Sequence, residues 1–437
     1  MKRILSFSLC IALALLTITL QGQSRKSGYY KDLFMDGGIG LNEYDDLPAA
    51  KFLNLTMERI CTYEDGDTTA ATAYEHMLMS NIFIGSEIDC NGSLLYPDGA
   101  PRFRVIYLNG GKATTHGKQL RAEGIETIRK FVAAGGSYVG TCAGAFFASK
   151  GTYSRAEGTF TPNPWYSGVF PGYTVSTGLS RSATTLSVEK KSPLLKYYDF
   201  GGDKLIDSVR HNGGCFMCTD SVPAGTELML RYVGDTLRQL KRPIHQEVNA
   251  WAYKADANTG RVVVTGSHPE RMIGGDRLQM FSAMIRYAMD GNGSPRIKGE
   301  LVNGEAREMT RRTKDNDPDH TAIGDRQYHH FTVNVPKGTK QVKIDLKPGK
   351  GYADFDLFLF AAPGAPAFND NAAWYNVDNG AAKSLRIDAP KAGTIYISVY
   401  CDTTVDTLDT RWGEQYTGRI EVLNGVPYTL TATLINE

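Results

Sequence analysis

The chain has 437 residues, enough for two or three domains at about 150 residues each. Hydrophobic residues make up 42% of the sequence, and the formal net charge is +1. This near-neutral charge argues against a nucleic-acid partner and against electrostatic attachment to a membrane. The composition is compatible with ordinary globular cores.

Residues 1–23 have the pattern of a secretory signal peptide. Lys2 and Arg3 are followed by an apolar run over 4–20 and then by small and polar residues. Cys10 lies inside this run, too early for a lipoprotein acylation site. No later segment has about 18 consecutive apolar residues, so the mature chain is expected to lack an integral membrane segment. We therefore expect export to the periplasm, the cell surface or the medium.

A buried strand is predicted at 103–108, where most residues are apolar. It runs into Asn109, Gly110 and Gly111. Amide groups at a Gly-Gly turn approach a negative oxygen without side-chain obstruction, so both glycines are candidates for an oxyanion site. Apolar residues then recur at helical spacing over 117–134, which predicts a helix that covers one face of a sheet.

The segment Gly140, Thr141, Cys142, Ala143 and Gly144 has the form of a nucleophile elbow, a tight turn between a strand and a helix. The glycines allow close packing and a strained backbone at the central residue. The turn brings the Cys142 thiol to a helix N-terminus, where the helix dipole favours a thiolate. The amide of Ala143 is then the second candidate oxyanion donor. A buried structural cysteine in a glycine-rich loop is the alternative interpretation.

A second pattern of catalytic type lies at 262–270, where a β-branched run is followed by His268 and Glu270. Residues i and i+2 at the end of a strand point the same way, so these two side chains can act together. We predict that His268 is a general base and that Glu270 orients it. His245 and Glu247 have the same spacing, but they lack the Gly-Ser-His-Pro-Glu context.

Strand and helix patterns alternate up to about residue 290, which predicts an α/β domain over 24–293 with a doubly wound, mostly parallel sheet. In such sheets the functional site lies at the carboxyl ends of the strands. The Gly-Gly turn, the elbow and the His268 segment each follow a predicted strand. We therefore expect them to share one cleft.

The cysteines allow several interpretations. Outside the signal peptide they are Cys61, Cys90, Cys142, Cys215, Cys218 and Cys401. Export permits disulfides, and we expect Cys61 to pair with Cys90. The Cys215–Cys218 spacing fits a strained disulfide, a redox pair or half of a metal site, but zinc needs two more ligands, so neither a metal nor a cofactor is predicted. Residues of this glycine-containing loop are expected to border the site, namely His211, Gly213, Gly214 and Cys215.

The sequence changes character after about residue 290. Residues 294–326 are predicted to form a linker, since charged residues are frequent there and apolar ones are few. Over 327–437, apolar and polar residues alternate with a period of two between turns rich in Pro and Gly, which predicts a β-sandwich domain. Asp354 and Asp356 on one predicted strand are too few ligands for a calcium site.

The Gly-Gly turn, the elbow and the Ser-His-Pro-Glu segment stand in the order of the class I glutamine amidotransferase-like superfamily. Over about 28–291 the chain most resembles the amidotransferase-like N-terminal domain of biotin–protein ligases, including the segments 135–145 and 211–214. Biotin–protein ligases work in the cytosol, so the predicted export departs from that family. The resemblance implies a flavodoxin-like α/β fold and three catalytic residues, namely Cys142 as nucleophile, His268 as base and Glu270 as orienting carboxylate.

The C-terminal segment resembles the bacterial prepeptidase C-terminal domain over 331–338, 354–359 and 389–399. Such domains accompany secreted hydrolases. The resemblance implies that this part of the chain associates with substrate or cell-surface material.

Two functions follow from the sequence. The first is an exported cysteine-dependent hydrolase, similar to an amidase or peptidase, that cleaves an amide or related acyl bond in a small molecule or peptide. The second is a catalytically inactive amidotransferase-like binding protein of the cell envelope. The reactivity of Cys142 distinguishes the two.

Overall fold

A computed structural model describes residues 28–36, 47–60, 91–234, 243–312, 317–410 and 413–436. The predicted signal peptide and the predicted Cys61–Cys90 pair lie outside these residues. In the described part of the chain, no helix is long and apolar enough to cross a membrane.

The N-terminal region contains both helices and strands. Its strands are β1 (Lys31–Asp36), β2 (Met57–Ile60), β3 (Phe103–Leu108), β4 (Ser137–Thr141), β5 (Gly151–Ser154), β6 (Thr159–Pro162), β7 (Tyr173–Ser176), β8 (Ser182–Val188), β9 (Leu205–His211), β10 (Cys215–Met217), β11 (Thr226–Val233), β12 (Val248–Tyr253) and β13 (Val262–Thr265). Its α-helices are α1 (Pro48–Phe52), α2 (Ala113–Ala133), α3 (Ala143–Ala148) and α4 (Gly275–Met289), and a 3-10 helix covers Pro193–Lys196.

The C-terminal region is built from strands. They are β14 (Ile297–Glu300), β15 (Ala306–Met309), β16 (Tyr328–Val335), β17 (Gln341–Pro348), β18 (Leu357–Pro363), β19 (Trp374–Asn376), β20 (Lys383–Asp388), β21 (Gly393–Cys401), β22 (Asp406–Thr410), β23 (Gly413–Thr417) and β24 (Tyr428–Ile435). A 3-10 helix covers Ile420–Asn424.

The main sheet, as far as the described residues show it, has 11 strands in the order β22-β23-β2-β1-β3-β4-β13-β12-β11-β8-β9. Strands β2, β1, β3, β4 and β13 pair in parallel. Strands β12, β11, β8 and β9 continue the sheet antiparallel. The α/β class is as predicted, but the sheet is mixed rather than mostly parallel. No α-helix joins β8 to β9, and a parallel pair needs such a crossover.

Both faces of the parallel strands are buried. Leu33 and Val105 lie in a core shared with helix α4, whereas Ile106 and Tyr138 lie in a second core shared with helices α2 and α3. Adjacent residues of a strand point to opposite faces, so each strand contributes to both cores. Because both faces of strand β3 are buried, its sequence is nearly all apolar.

The C-terminal region forms two sheets around one core. Their strand orders are β14-β16-β21-β18-β19 and β15-β24-β17-β20. Burial alternates residue by residue along β20, as the period of two in the sequence predicts. The predicted linker over 294–326 needs correction, because it supplies β14 and β15, one strand to each sheet. Both strands have only four residues and include charged ones, so alternation does not reveal them.

The two regions are joined by buried charges and by strand pairing. Arg102, just before β3, is 2% exposed and makes two hydrogen bonds to Asp325, at 3.0 and 2.8 Å. Its third donor reaches Tyr416 Oη at 2.8 Å, and its guanidinium lies 3.9 Å from the centre of the Tyr30 ring. Strand β23 also pairs with β2 at the edge of the main sheet. The two regions are therefore joined by a buried ion pair and by backbone pairing.

Candidate functional site

The elbow stands at the carboxyl end of strand β4. All five residues of β4 are buried, and Cys142 follows with φ 49° and ψ −104°, a strained conformation for a residue other than glycine. A Cβ atom on Gly140 would lie 2.7 Å from the backbone of Gly144, and one on Gly144 would lie 2.1 Å from Leu108 O. Both glycines are therefore required by packing. The sharp turn starts helix α3 directly after the cysteine.

Cys142 is held from two neighbouring elements. Its amide donates to Thr265 O at the end of β13, over 2.9 Å. Its sulfur lies 3.8 Å from Asn212 O, in the loop between β9 and β10. The side chain is 4% exposed. These contacts fix the sulfur between the ends of two strands and the loop that faces them.

His268 lies within reach of both Cys142 and Glu270. Its Nδ1 atom is 2.8 Å from Glu270 Oε1, and its amide donates to Arg210 O over 2.8 Å. Its Nε2 atom is buried and makes no hydrogen bond of standard geometry within the described residues. The Cys142 thiol is nevertheless close enough to raise the pKa of the ring. Burial lowers the pKa of His268, whereas Cys142 and Glu270 raise it, to about 10 overall. The imidazole is thus protonated at neutral pH.

Glu270 lies in a pocket with little access to water. The residue is 5% exposed, and its Oε2 atom lacks a hydrogen-bond partner within the described part of the chain. Tyr107 is a neighbour whose pKa is raised by burial and by the charge of Glu270, so its hydroxyl stays neutral. That hydroxyl is 3.0 Å from Thr141 Oγ1. A buried carboxylate with few partners favours a cationic imidazole beside it.

Gly110 leaves the space in which the His268 imidazole lies. A Cβ atom at this position would lie 2.3 Å from His268 Cε1 and 3.0 Å from Nδ1. The ring therefore occupies the space that any side chain at residue 110 would need. Sequence reasoning proposed Gly110 for an oxyanion site, and the structure adds a reason for glycine that concerns the base instead.

We expect Gly110→Ala to push the imidazole away from Cys142 and Glu270. A displaced imidazole activates the thiol less well, so iodoacetamide should alkylate Cys142 up to about 10-fold more slowly at neutral pH, and no more slowly than in a variant without the imidazole. The modified residue is identified by peptide mass spectrometry. Gly274→Ala is the control, because nothing lies within 4 Å of a Cβ atom there. Equal rates in both variants would contradict this role for Gly110.

The candidate oxyanion donors border the elbow. Gly111 has φ 139°, which glycine tolerates and other residues rarely adopt. Ala143 is the first residue of helix α3, so its amide has no partner within the helix. Gly144 donates to Asn109 O over 3.1 Å, which ties the turn after β3 to the elbow. The predicted donors therefore come from two adjacent segments.

The loop over 211–215 lies next to the elbow, with Asn212 O 3.8 Å from the Cys142 sulfur. Gly213 and Gly214 have φ of 77° and 92°, and a Cβ atom on Gly214 would lie 2.0 Å from Gly266 O. His211 is fully buried, with Nε2 2.7 Å from Thr184 Oγ1. Burial, and then the charge of His268, lower the pKa of His211 to about 3. His211 is therefore an uncharged, buried imidazole near His268.

Cys215 and Cys218 are separate free thiols in the structure. All four cysteines within the described residues are free thiols: Cys142, Cys215, Cys218 and Cys401. Cys215 lies in the core beside α2 and α3, and Cys218 lies in the core on the other side. Burial and the neighbouring Cys142 raise the pKa of Cys215. In the described part of the chain, no group of three or more His, Cys, Asp or Glu side chains could hold a metal ion.

Asn249 on β12 is a site residue that the sequence analysis missed. Its Oδ1 atom accepts hydrogen bonds from Thr265 Oγ1 at 2.7 Å and from Ser267 Oγ at 3.3 Å. Thr265 in turn binds the amide of Cys142 through its carbonyl oxygen. Asn249 thus fixes the segment that connects β13 to His268. A single polar residue in an otherwise buried apolar strand was the only available signal.

The second His-Glu pair of the sequence, His245 and Glu247, contacts Gly234 and Arg155. His245 Nδ1 accepts a hydrogen bond from the amide of Gly234 at 2.9 Å. Glu247 forms an ion pair with Arg155 at 2.5 Å.

Two family models match the chain, in agreement with the resemblances seen in its sequence. Residues 100–286 match "Biotin-protein ligase, N terminal", and residues 327–400 match "Bacterial pre-peptidase C-terminal domain". No curated protein matches the chain. An amidotransferase-like region is therefore followed by a β-rich region similar to pre-peptidase C-terminal domains.

Solved structures resemble each region at low identity. A crystal structure of glutamine amidotransferase is 17% identical with a TM-score of 0.33, and the match covers 58% of this chain and 97% of that chain. A putative GMP synthase protein from Thermoplasma acidophilum is 14% identical with a TM-score of 0.35, covering 60% and 96%. The pre-peptidase C-terminal domain of a Bacillus anthracis collagenase is 15% identical with a TM-score of 0.19, covering 32% and 100%.

Proposed function

We propose that this chain, similar over residues 100–286 to the N-terminal domain of biotin–protein ligases, is an exported cysteine-dependent hydrolase of amide or related acyl bonds. The observation that carries the proposal is the position of His268, hydrogen-bonded to Glu270 and close enough to Cys142 to be influenced by it. Nucleophile, base and orienting carboxylate are the minimum set for this chemistry.

In the proposed reaction Cys142 transfers its proton to His268, and the resulting thiolate attacks the carbonyl carbon of the substrate. The amides of Gly111 and Ala143 hold the negative oxygen that forms. His268, protonated at neutral pH, gives its proton to the departing amine, and a thioester remains on Cys142. His268 then takes a proton from water, whose oxygen attacks the thioester and releases the acid and the Cys142 thiolate, so the starting pair is restored. Glu270 keeps the ring oriented and stabilises its charge.

The proposal also includes a signal peptide and two domains. Residues 1–23 would be removed on export, a flavodoxin-like α/β domain would extend over 24–293, and the β-sandwich that follows would associate with substrate or cell-surface material. The strands over 297–309 pair within the sandwich sheets, which supports a domain boundary close to residue 294. No cofactor is required by these steps.

A second candidate function is a binding protein without turnover. The supporting observation is the 4% exposure of Cys142, because a substrate carbonyl must reach the sulfur. In a binding protein the loop over 211–215 would stay closed over the thiol. In a hydrolase it would open when substrate binds.

A screen of amides and short peptides distinguishes the two candidates. The wild type, Cys142→Ala and His268→Ala are each incubated with N-acyl amino-acid amides and peptides, and the released amine is quantified by mass spectrometry. A hydrolase gives turnover in the wild type and at least about 1,000-fold less in either variant. Turnover that survives Cys142→Ala would contradict the proposed mechanism. Ligand binding without turnover in all three proteins would favour the binding protein.

A further inference from the structure

Arg210 is an exposed arginine directly beside the candidate site. Its carbonyl oxygen accepts the amide hydrogen of His268 over 2.8 Å. Earlier in the same strand, β9, Asp207 and Ser208 stand opposite the single residue Thr185, and Ser208 has φ 55°. This is a β-bulge, a feature that occurs near functional sites because it changes the direction of the side chains that follow. The bulge therefore sets the direction in which the strand presents Arg210.

Arg181 is a second exposed arginine at the same site, on the segment just before β8. Gly213 donates to Leu179 O over 2.7 Å, so this segment runs alongside the loop over 211–215 that contacts the thiol. Arg181 has φ 44°, a left-handed conformation that is uncommon for a residue with a side chain. Backbone strain of this kind is concentrated at functional sites. Both arginines thus belong to irregular segments that border the candidate site.

The charges of these two arginines are not balanced by their neighbours. Among the described residues, neither Arg181 nor Arg210 forms an ion pair or a side-chain hydrogen bond. The carboxylates close by in the chain have other partners, since Glu270 bonds to the imidazole at 2.8 Å and Asp207 accepts from Thr185 Oγ1 at 2.6 Å. A guanidinium binds a carboxylate through two parallel hydrogen bonds. The charge of this rim therefore complements an anionic group on the substrate.

We propose that the site takes substrates with a carboxylate close to the bond that is cleaved, such as an N-acyl amino acid or the C-terminal residue of a peptide. The inference rests on the proposed hydrolase function and names its substrate class. Arg181 and Arg210 bind the carboxylate, which places the neighbouring amide carbonyl at Cys142. The acyl group then passes to the sulfur, and the free amino acid leaves with the proton from His268.

Binding to full-length Cys142→Ala tests the inference without any turnover. The probes are N-acetylalanine and N-acetylalaninamide, which differ in the carboxylate, and ligand-observed NMR titration gives each Kd. We expect a Kd of about 1 mM for N-acetylalanine, as befits a ligand of this size. The amide should bind at least about 10-fold more weakly, because it lacks the charge-assisted hydrogen bonds.

Arginine variants in the Cys142→Ala background identify the residues responsible. Arg181→Gln and Arg210→Gln should each weaken N-acetylalanine binding at least about 5-fold and leave N-acetylalaninamide unchanged. Arg386→Gln is the matched control, since Arg386 is an exposed arginine on β20 of the sandwich and its removal changes the net charge equally. It should leave both Kd values unchanged. Thermal midpoints establish that each variant is folded.

Turnover in the protein with Cys142 intact separates failure of the inference from failure of the proposed function. The inference predicts a higher kcat/KM for N-acetylalanine than for its amide, and Arg210→Gln should raise KM more than it lowers kcat. Hydrolysis of both probes with equal kcat/KM, together with equal Kd values, would overturn the inference and leave the hydrolase standing. Selective binding of N-acetylalanine through the arginines without hydrolysis would support the carboxylate site and contradict the hydrolase.

Two further binding results would overturn the carboxylate site. One is the absence of saturable N-acetylalanine binding up to about 10 mM, ten times the expected Kd. The other is an Arg386→Gln effect as large as that of Arg210→Gln, because the preference would then reflect the total charge of the protein.

Discussion

Replacing Arg102 by methionine is expected to lower the free energy of unfolding by about 3–5 kcal/mol. Methionine retains much of the side-chain volume but removes every donor, which leaves Asp325 as an uncompensated buried carboxylate. Asp325 is 0% exposed, so water cannot replace the lost guanidinium without opening the interface between the two regions. Urea unfolding followed by circular dichroism measures the change.

Two controls separate this effect from a general loss of charge. Arg296→Met removes an exposed ion pair with Asp319, which should change the free energy of unfolding by about 0.5 kcal/mol or less. The double variant Arg102→Met with Asp325→Leu removes both buried charges and should recover a large part of the lost stability. If Arg102→Met is as stable as Arg296→Met, the ion pair between Arg102 and Asp325 does not hold the interface together.

The protonation of His268 should make the stability of the protein depend on pH. The pKa of His268 in the folded protein is raised from 6.5 to about 10. The resulting stabilisation is fully present below pH 6.5 and is lost as the pH rises through 10. Each pKa unit corresponds to about 1.4 kcal/mol, so between these limits the free energy of unfolding should fall by up to about 5 kcal/mol because of this group.

Urea unfolding of wild type and His268→Gln at pH 6.5, 8 and 10 tests this linkage. Other groups titrate in both proteins, so the informative quantity is the difference between the two proteins in the slope of the free energy of unfolding against pH. Glu270→Gln removes one of the groups that raise the pKa of His268, and its slope should lie between those of the other two proteins. If wild type and His268→Gln have the same slope, His268 is not protonated in the way described here.

The sequence predicted the local features of the site because short-range geometry requires them. A strand that turns into a helix at Cys142 needs glycine at residues 140 and 144, and this requirement is visible as a motif. His268 and Glu270 are close because they are two residues apart, so their hydrogen bond depends little on the rest of the fold. Their proximity to Cys142 follows from the parallel pairing of β4 and β13.

What the sequence did not reveal depends on distant partners. Arg102 looks like an ordinary surface charge until Asp325, 223 residues later, is found beside it. Asn249 is likewise a single polar residue whose role appears only once β12 and β13 pair. The antiparallel half of the main sheet was missed for the same reason, since strand patterns do not specify which strands become neighbours.

The most direct test of the account is the reactivity of Cys142 itself. Iodoacetamide alkylation is followed over time at pH 7, and peptide mass spectrometry assigns the modified cysteine in wild type, His268→Gln and Glu270→Gln. Burial raises the pKa of Cys215 and Cys401, so both should react slowly. The account predicts selective alkylation of Cys142 that slows at least about 10-fold in His268→Gln and less in Glu270→Gln. Alkylation of Cys142 at the rate of Cys401, or at a rate that His268→Gln does not change, would contradict it.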